Sequence, residues 1–149
     1  MEDKALLSTE EASGAEKAEL LIVIPAYNEA ENIERVVNHL TANFPQYDYV
    51  VVNDGSRDET AAICQRNGYN LLNLPVNLGL AGAFQAGLKY ADKYGYQYAV
   101  QLDGDGQHRP EYLESMIKKM EEGYDIVIGS RFVGEKKPFT MRMLGSNLI

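Results

Sequence analysis

Hydrophobic and polar positions alternate between two periods along most of the chain. Residues 19–27, ELLIVIPAY, form an unbroken apolar run with β-branched side chains, the pattern of a strand covered on both faces. Residues 28–44 then place Ile33, Val36, Val37, Leu40 and Phe44 at helical spacing. The exchange repeats, predicting a strand over 47–56, a helix over 56–68, a short strand over 69–75 and a helix over 79–95. A fourth strand over 96–103, a helix over 109–123 and a fifth strand over 124–130 complete the series. Punctuation agrees with these bounds. Ser56 and Glu59 have capping-box spacing, with Ser56 as the helix cap, Gly68 is a stop, and Pro110 suits a first helical turn.

Strands alternating with helices predict right-handed crossovers and a mostly parallel sheet, an α/β fold. Ligands of such sheets bind beyond the carboxyl ends of the strands. Tyr27, Asn28 and Glu29 follow the first strand, Asp54, Gly55 and Ser56 the second, and Asn77 and Gly79 the third. Asp103, Gly104 and Asp105 follow the fourth, and Ser130 and Arg131 the fifth. Their convergence on one edge is a stronger functional signal than any single motif.

Composition narrows the classes. The 149 residues suffice for one domain with a real core, and a net charge of −8 without a basic stripe excludes a nucleic-acid binder. The single cysteine, Cys64, rules out an intrachain disulfide, fits a reducing cytosolic setting and reads as a core residue on a helix. No apolar run approaches the roughly 18 residues of a membrane span. Residues 1–18 carry Glu2, Asp3, Glu10, Glu11 and Glu16 without an apolar period, which predicts a disordered acidic tail before a folded domain over 19–149.

Several site chemistries are excluded. The first strand-to-helix turn, PAYNEAEN, has no glycine, so a dinucleotide fingerprint is absent, as is a P-loop. The glycines of GLAGAFQAG follow the third strand and read as points of close backbone approach. There is no Cys/His cluster for zinc and no G-x-S-x-G elbow. A calcium loop starting at Asp103 fails because His108 stands where glycine is required and a strand precedes it.

Each polar tip also has an ordinary structural reading. Asp103-Gly-Asp105 could be a solvated turn, Asp54 a turn opener, Glu29 a favourable first-turn charge, Tyr27 packing and Arg131 half of a surface pair. His39 reads as a helix residue and His108 as a loop residue. Two carboxylates about 4 Å apart repel by roughly 4 kcal/mol at an effective dielectric of about 20, so the Asp103–Asp105 pair calls for a compensating cation. With four other polar tips at the same edge, a metal reading outweighs the turn.

With these residues in view, the chain resembles the family 2 glycosyltransferases of GT-A fold, in particular the polyprenyl- and dolichyl-phosphate mannosyl- and glucosyltransferases. The resemblance spans roughly residues 20–149 and rests on VIPAYNEAENI, VVNDGSRDET, NLGLAGAFQAG, QLDGDGQHRPE and IVIGSRF, in that order. It implies a three-layer, Rossmann-like fold and a nucleotide-sugar donor. It assigns Pro25, Tyr27, Glu29 and Asp54 to the nucleoside. Asp103 and Asp105 become the D-x-D pair, with Gln107 beside them around Mg²⁺ or Mn²⁺, and Arg131 reaches the diphosphate or the sugar. Asp105 and Arg131 are then the expected catalytic residues. The implied reaction is an inverting displacement at the anomeric carbon of a UDP- or GDP-linked hexose.

No residue stands out as a general base, which favours a polyprenyl phosphate as acceptor. Such a phosphate is already largely dianionic at neutral pH, its second pKa being about 6. The stretch 131–143 holds Arg131, Lys136, Lys137 and Arg142 against Glu135, charge suited equally to an acceptor phosphate, anionic headgroups or plain solvation. The expected location is cytoplasmic, peripheral to the inner face of a membrane. Family members continue past LGSNLI with Thr-Asp and Gly-Phe-Arg elements, so a C-terminally incomplete domain is expected, with an exposed edge that favours homo-oligomers. The alternatives are a non-catalytic nucleotide-sugar-binding module and a transferase with a saccharide hydroxyl acceptor. A nucleotidyltransferase would need a glycine-rich basic loop near the first strand.

Overall fold

The computed structural model of the chain describes residues 19–103 and 112–129. The chain divides into two compact units, Met1–Pro110 and Glu111–Ile149, each described by itself. In the first unit, strands β1 (Leu20–Ala26), β2 (Asp48–Asp54), β3 (Leu71–Leu74) and β4 (Tyr98–Gln101) form one sheet in the order β3-β2-β1-β4. Every ladder is parallel, with Ile24 opposite Val51, Val52 opposite Leu72 and Ile22 opposite Val100. The central strand, β1, is buried along its whole length, as its apolar run requires.

Helices α1 (Ile33–Asn43), α2 (Thr60–Arg66) and α3 (Gly79–Lys93) connect the strands. From β1 to β3 the chain steps one way across the sheet. α3 then carries it back past β2 and β1 to β4. Right-handed crossovers therefore put α1 and α2 on one face and α3 on the other, which makes three layers. Side-chain alternation agrees. Leu21, Val23, Val50 and Val52 pack with Ala83 and Ala91 of α3, while Ile22 and Ile24 are buried against the opposite layer. At Gly87 helix and sheet nearly touch: a Cβ there would overlap Val23 Cγ1.

Three expectations change. Residues 124–129 form no strand, and Ile126 and Ile128 are 78% and 84% exposed. A strand exists through its ladder, and these residues have none. In the second unit the described helix, α4, is Leu113–Glu121. The Ser56 capping box is also absent. Glu59 is the residue before α2 and makes no side-chain cap bond; the Ser56 hydroxyl instead accepts the Asn28 N–H, and the Ser56 N–H goes to Asn53 Oδ1. Finally, α1 begins at Ile33 instead of residue 28, since Asn28 sits at φ 55°, outside the right-handed helical region. Residues 1–18, 104–111 and 130–149, which include the expected tail and the sequence around Pro110, lie outside the described residues. No helix among the described residues is long and apolar enough to cross a membrane.

Candidate nucleotide-sugar cleft

Because all four strands run parallel, Ala26, Asp54, Leu74 and Gln101 end at the same edge of the sheet. A cleft of about 230 Å³ opens there, lined by Pro25, Ala26, Tyr27, Glu29, Asp54, Leu80 and Asp103. Pro25, Tyr27, Glu29, Asp54 and Asp103 were all expected from sequence, and the fold brings the five together. Asp105, Gln107 and Arg131, as well as His108 and Ser130, lie outside the described residues.

Each lining residue is held differently. Asp54 closes β2 and is only 3% exposed. Its Oδ1 accepts the Leu78 N–H at 2.7 Å, and its backbone carbonyl accepts from Asn77 Nδ2 at 3.0 Å. Asn77 Oδ1 in turn receives the Gly79 N–H at the start of α3. The turn at Gly55 makes this approach feasible: its φ is +65°, and a Cβ would lie 2.7 Å from the Asn77 backbone nitrogen. Asp103 accepts from Gln101 Nε2 at 2.9 Å.

The β1 loop is tied to the β2 loop. Asn28 N–H donates to Ser56 Oγ at 3.0 Å, and Asn28 Oδ1 accepts the Arg57 N–H at 2.9 Å. Glu29 N–H donates to Thr60 Oγ1 at 2.9 Å, and Ala30 N–H to Asp58 Oδ2 at 3.0 Å. Thr60 is fully buried, and both its backbone N–H and its hydroxyl donate to Asp58 Oδ1. Partial burial opposes ionisation of Asp58, yet the hydrogen bonds from Thr60 and Ala30 outweigh it and hold the carboxyl below its ordinary range. The Glu29 carboxylate accepts from Asn32 Nδ2 at 3.0 Å. Sequence reasoning missed Leu80 and this clasp. Asp58 and Thr60 fall within the VVNDGSRDET stretch and the expected start of the second helix without a role of their own, and no short-range pattern links them to Glu29.

The cleft offers an aromatic ring 44% exposed at Tyr27, acceptor oxygens on Glu29, Asp54 and Asp103, and the aliphatic face of Leu80. Such a surface can bind a flat, donor-bearing ring. Among the described residues no three His, Cys, Asp or Glu side chains converge as a metal group. Cys64 is buried on α2, and burial pushes its thiol up, away from nucleophilic use. His39 pairs edge-on with Phe44 on α1, a structural role.

The sequence matches Glycosyl transferase family 2 across residues 21–147. The chain belongs to that family. Among curated family 2 relatives, the polyprenol monophosphomannose synthase of Mycolicibacterium smegmatis is 34% identical over 119 residues, covering 76% of this chain and 45% of that protein. The undecaprenyl-phosphate mannosyltransferase of Micrococcus luteus is 34% identical over 119 residues, covering 76% and 49%. The chain thus spans about half the length of these relatives. Among solved structures, S. aureus TarS (residues 1–349) superimposes with a TM-score of 0.54 at 27% identity, over 69% of this chain and 32% of TarS. The mannosyltransferase PcManGT of Pyrobaculum calidifontis, solved with GDP-Man and Mn²⁺, shares the fold at a TM-score of 0.54 and 22% identity, over 68% and 32%. The family 2 chain therefore has the GT-A fold expected of it.

Proposed function

We propose that this family 2 domain binds a UDP- or GDP-linked hexose in the cleft and passes the hexose, with inversion, to a polyprenyl phosphate. The observation that carries the reading is the cleft itself, where Pro25, Tyr27, Glu29, Asp54 and Asp103 line one cavity at the carboxyl edge of a parallel sheet. Membership of the family supplies the reaction class. The relatives named for polyprenol and undecaprenyl phosphate supply the acceptor class.

In this reading Tyr27 offers a ring to the base, and Asp54 and Glu29 accept its N–H groups and the ribose hydroxyls. Only one Asp54 oxygen is engaged by Leu78 among the described contacts, so the carboxylate is pre-oriented before a ligand arrives. The donor set fits a hard divalent cation: Asp103 lies in the cleft, and Asp105 and Gln107 follow it with further oxygen atoms. A bound Mg²⁺ or Mn²⁺ would supply neutralisation of charge on the diphosphate. Arg131 is assigned to the same diphosphate. The acceptor phosphate needs no base from this chain, because it is ionised at neutral pH.

A thermal-shift panel of UDP-glucose, UDP-GlcNAc and GDP-mannose, with and without Mn²⁺, tests the reading. A true donor at a hundredfold excess over its Kd stabilises by about 2.7 kcal/mol. Asp105→Ala should abolish the metal-dependent part. No shift from any of the three sugars would remove the donor assignment. Metal-dependent shifts unchanged in Asp105→Ala would remove the metal assignment.

A further inference from the structure

We propose that Thr60 and Asp58, which do not line the cleft, are positioning residues that set Glu29 in its donor-binding pose. The inference rests on the donor reading of the cleft. It is carried by a hydrogen-bond relay between two loops. The Glu29 N–H donates to Thr60 Oγ1, and the same hydroxyl donates its proton to Asp58 Oδ1. The other Asp58 oxygen takes the Ala30 N–H, so one carboxylate holds two consecutive residues of the β1 loop.

A hydroxyl suits this relay because it accepts and donates at once. The Thr60 methyl and Cβ lie in a fully buried site, so the hydroxyl has little freedom to turn elsewhere. Glu29 is then fixed at three points: its N–H by Thr60, its carbonyl by the Asn32 and Ile33 N–H groups, and its carboxylate by Asn32. The preceding residue, Asn28, holds a left-handed φ of 55°, a conformation of a non-glycine residue that persists when its surroundings over-determine it. Ser56 and Arg57 supply that constraint from the other loop. The clasp therefore pre-organises the turn that presents Tyr27 and Glu29, and ligand binding need not order it.

Thr60→Val is the decisive variant, since it keeps the shape and deletes the hydroxyl; Thr60→Ser restores the hydroxyl and deletes the methyl. Calorimetric titration with UDP and with GDP, each with Mn²⁺, should show at least a tenfold rise in Kd for T60V. T60S should stay within about threefold of wild type. The Glu29 amide should exchange at least tenfold faster in T60V than in wild type or T60S. A merely structural Thr60 would give losses that follow thermal stability, not the hydroxyl. Wild-type affinity in T60V, or equal losses in T60V and T60S, overturns the positioning role while leaving the donor reading intact. Wild type binding neither nucleotide removes the donor reading, and the proposal with it. If T60V fails to fold, Asp58→Asn on the exposed side of the relay replaces it, and unchanged affinity and Glu29 exchange there overturn the proposal.

Discussion

Asp54 serves the fold before it serves a ligand. It is almost fully buried, and its Oδ1 is the acceptor for the Leu78 N–H. Asp54→Ala leaves that donor unpaired and should cost about 1–3 kcal/mol in urea unfolding. Asp54→Asn keeps an acceptor oxygen, so it should cost less while still weakening nucleotide binding. Equal stability of wild type and Asp54→Ala would contradict the bonding seen. Asp58 makes a separate, pH-dependent contribution. Its folded pKa lies below the ordinary value, so folding favours the ionised carboxylate. That contribution is complete above the ordinary Asp pKa near 3.9 and is lost as pH falls through the folded value. Unfolding midpoints between pH 2 and 5 should therefore fall less steeply in Asp58→Asn than in wild type. Parallel curves would show that the clasp does not depend on the charge.

At the level of elements, the tightest contact is between α3 and β1. Gly87→Ala places a methyl group against Val23 in a closed interface, and overpacking of this kind costs about 1–3 kcal/mol. Val23→Ala in the Gly87→Ala background should recover part of that loss in a double-mutant cycle. Strict additivity would mean that the two residues do not touch. The sequence reading of these glycines as points of close helix and loop backbone approach is not what the structure shows: a Cβ at Gly87 would meet the Val23 side chain of β1, and one at Gly79 would meet nothing within 4 Å. The start of α2 was not legible either. Ser56 and Glu59 have the spacing of a capping box, but the Ser56 hydroxyl bonds Asn28, 28 residues earlier, and a tertiary bond displaced the local one. Residues 124–129 carry strand composition without a ladder, and composition alone does not hold a strand.

Across the whole molecule, the alternation of periods was enough to give the four parallel strands, the three helices that join them and the edge where the polar tips gather. One-dimensional pattern fixes which residues follow each strand, and parallel topology then forces Tyr27, Glu29, Asp54 and Asp103 together. What pattern cannot carry is the bonding between loops far apart in sequence, such as Glu29 to Thr60. The opposite rim of the sheet is braced by structure of another kind: Tyr96 donates its hydroxyl to Asp48 at the start of β2.

The two rims make the central claim measurable in one experiment, amide chemical shifts followed while UDP or GDP is titrated in the presence of Mn²⁺. Tyr27, Glu29, Asp54, Leu78, Leu80 and Asp103 should move together along one saturable curve, while Asp48 and Tyr96 stay still. Saturable changes centred on Asp48 and Tyr96, or no saturable change at either rim, would contradict a nucleotide-sugar cleft at the carboxyl edge of the sheet.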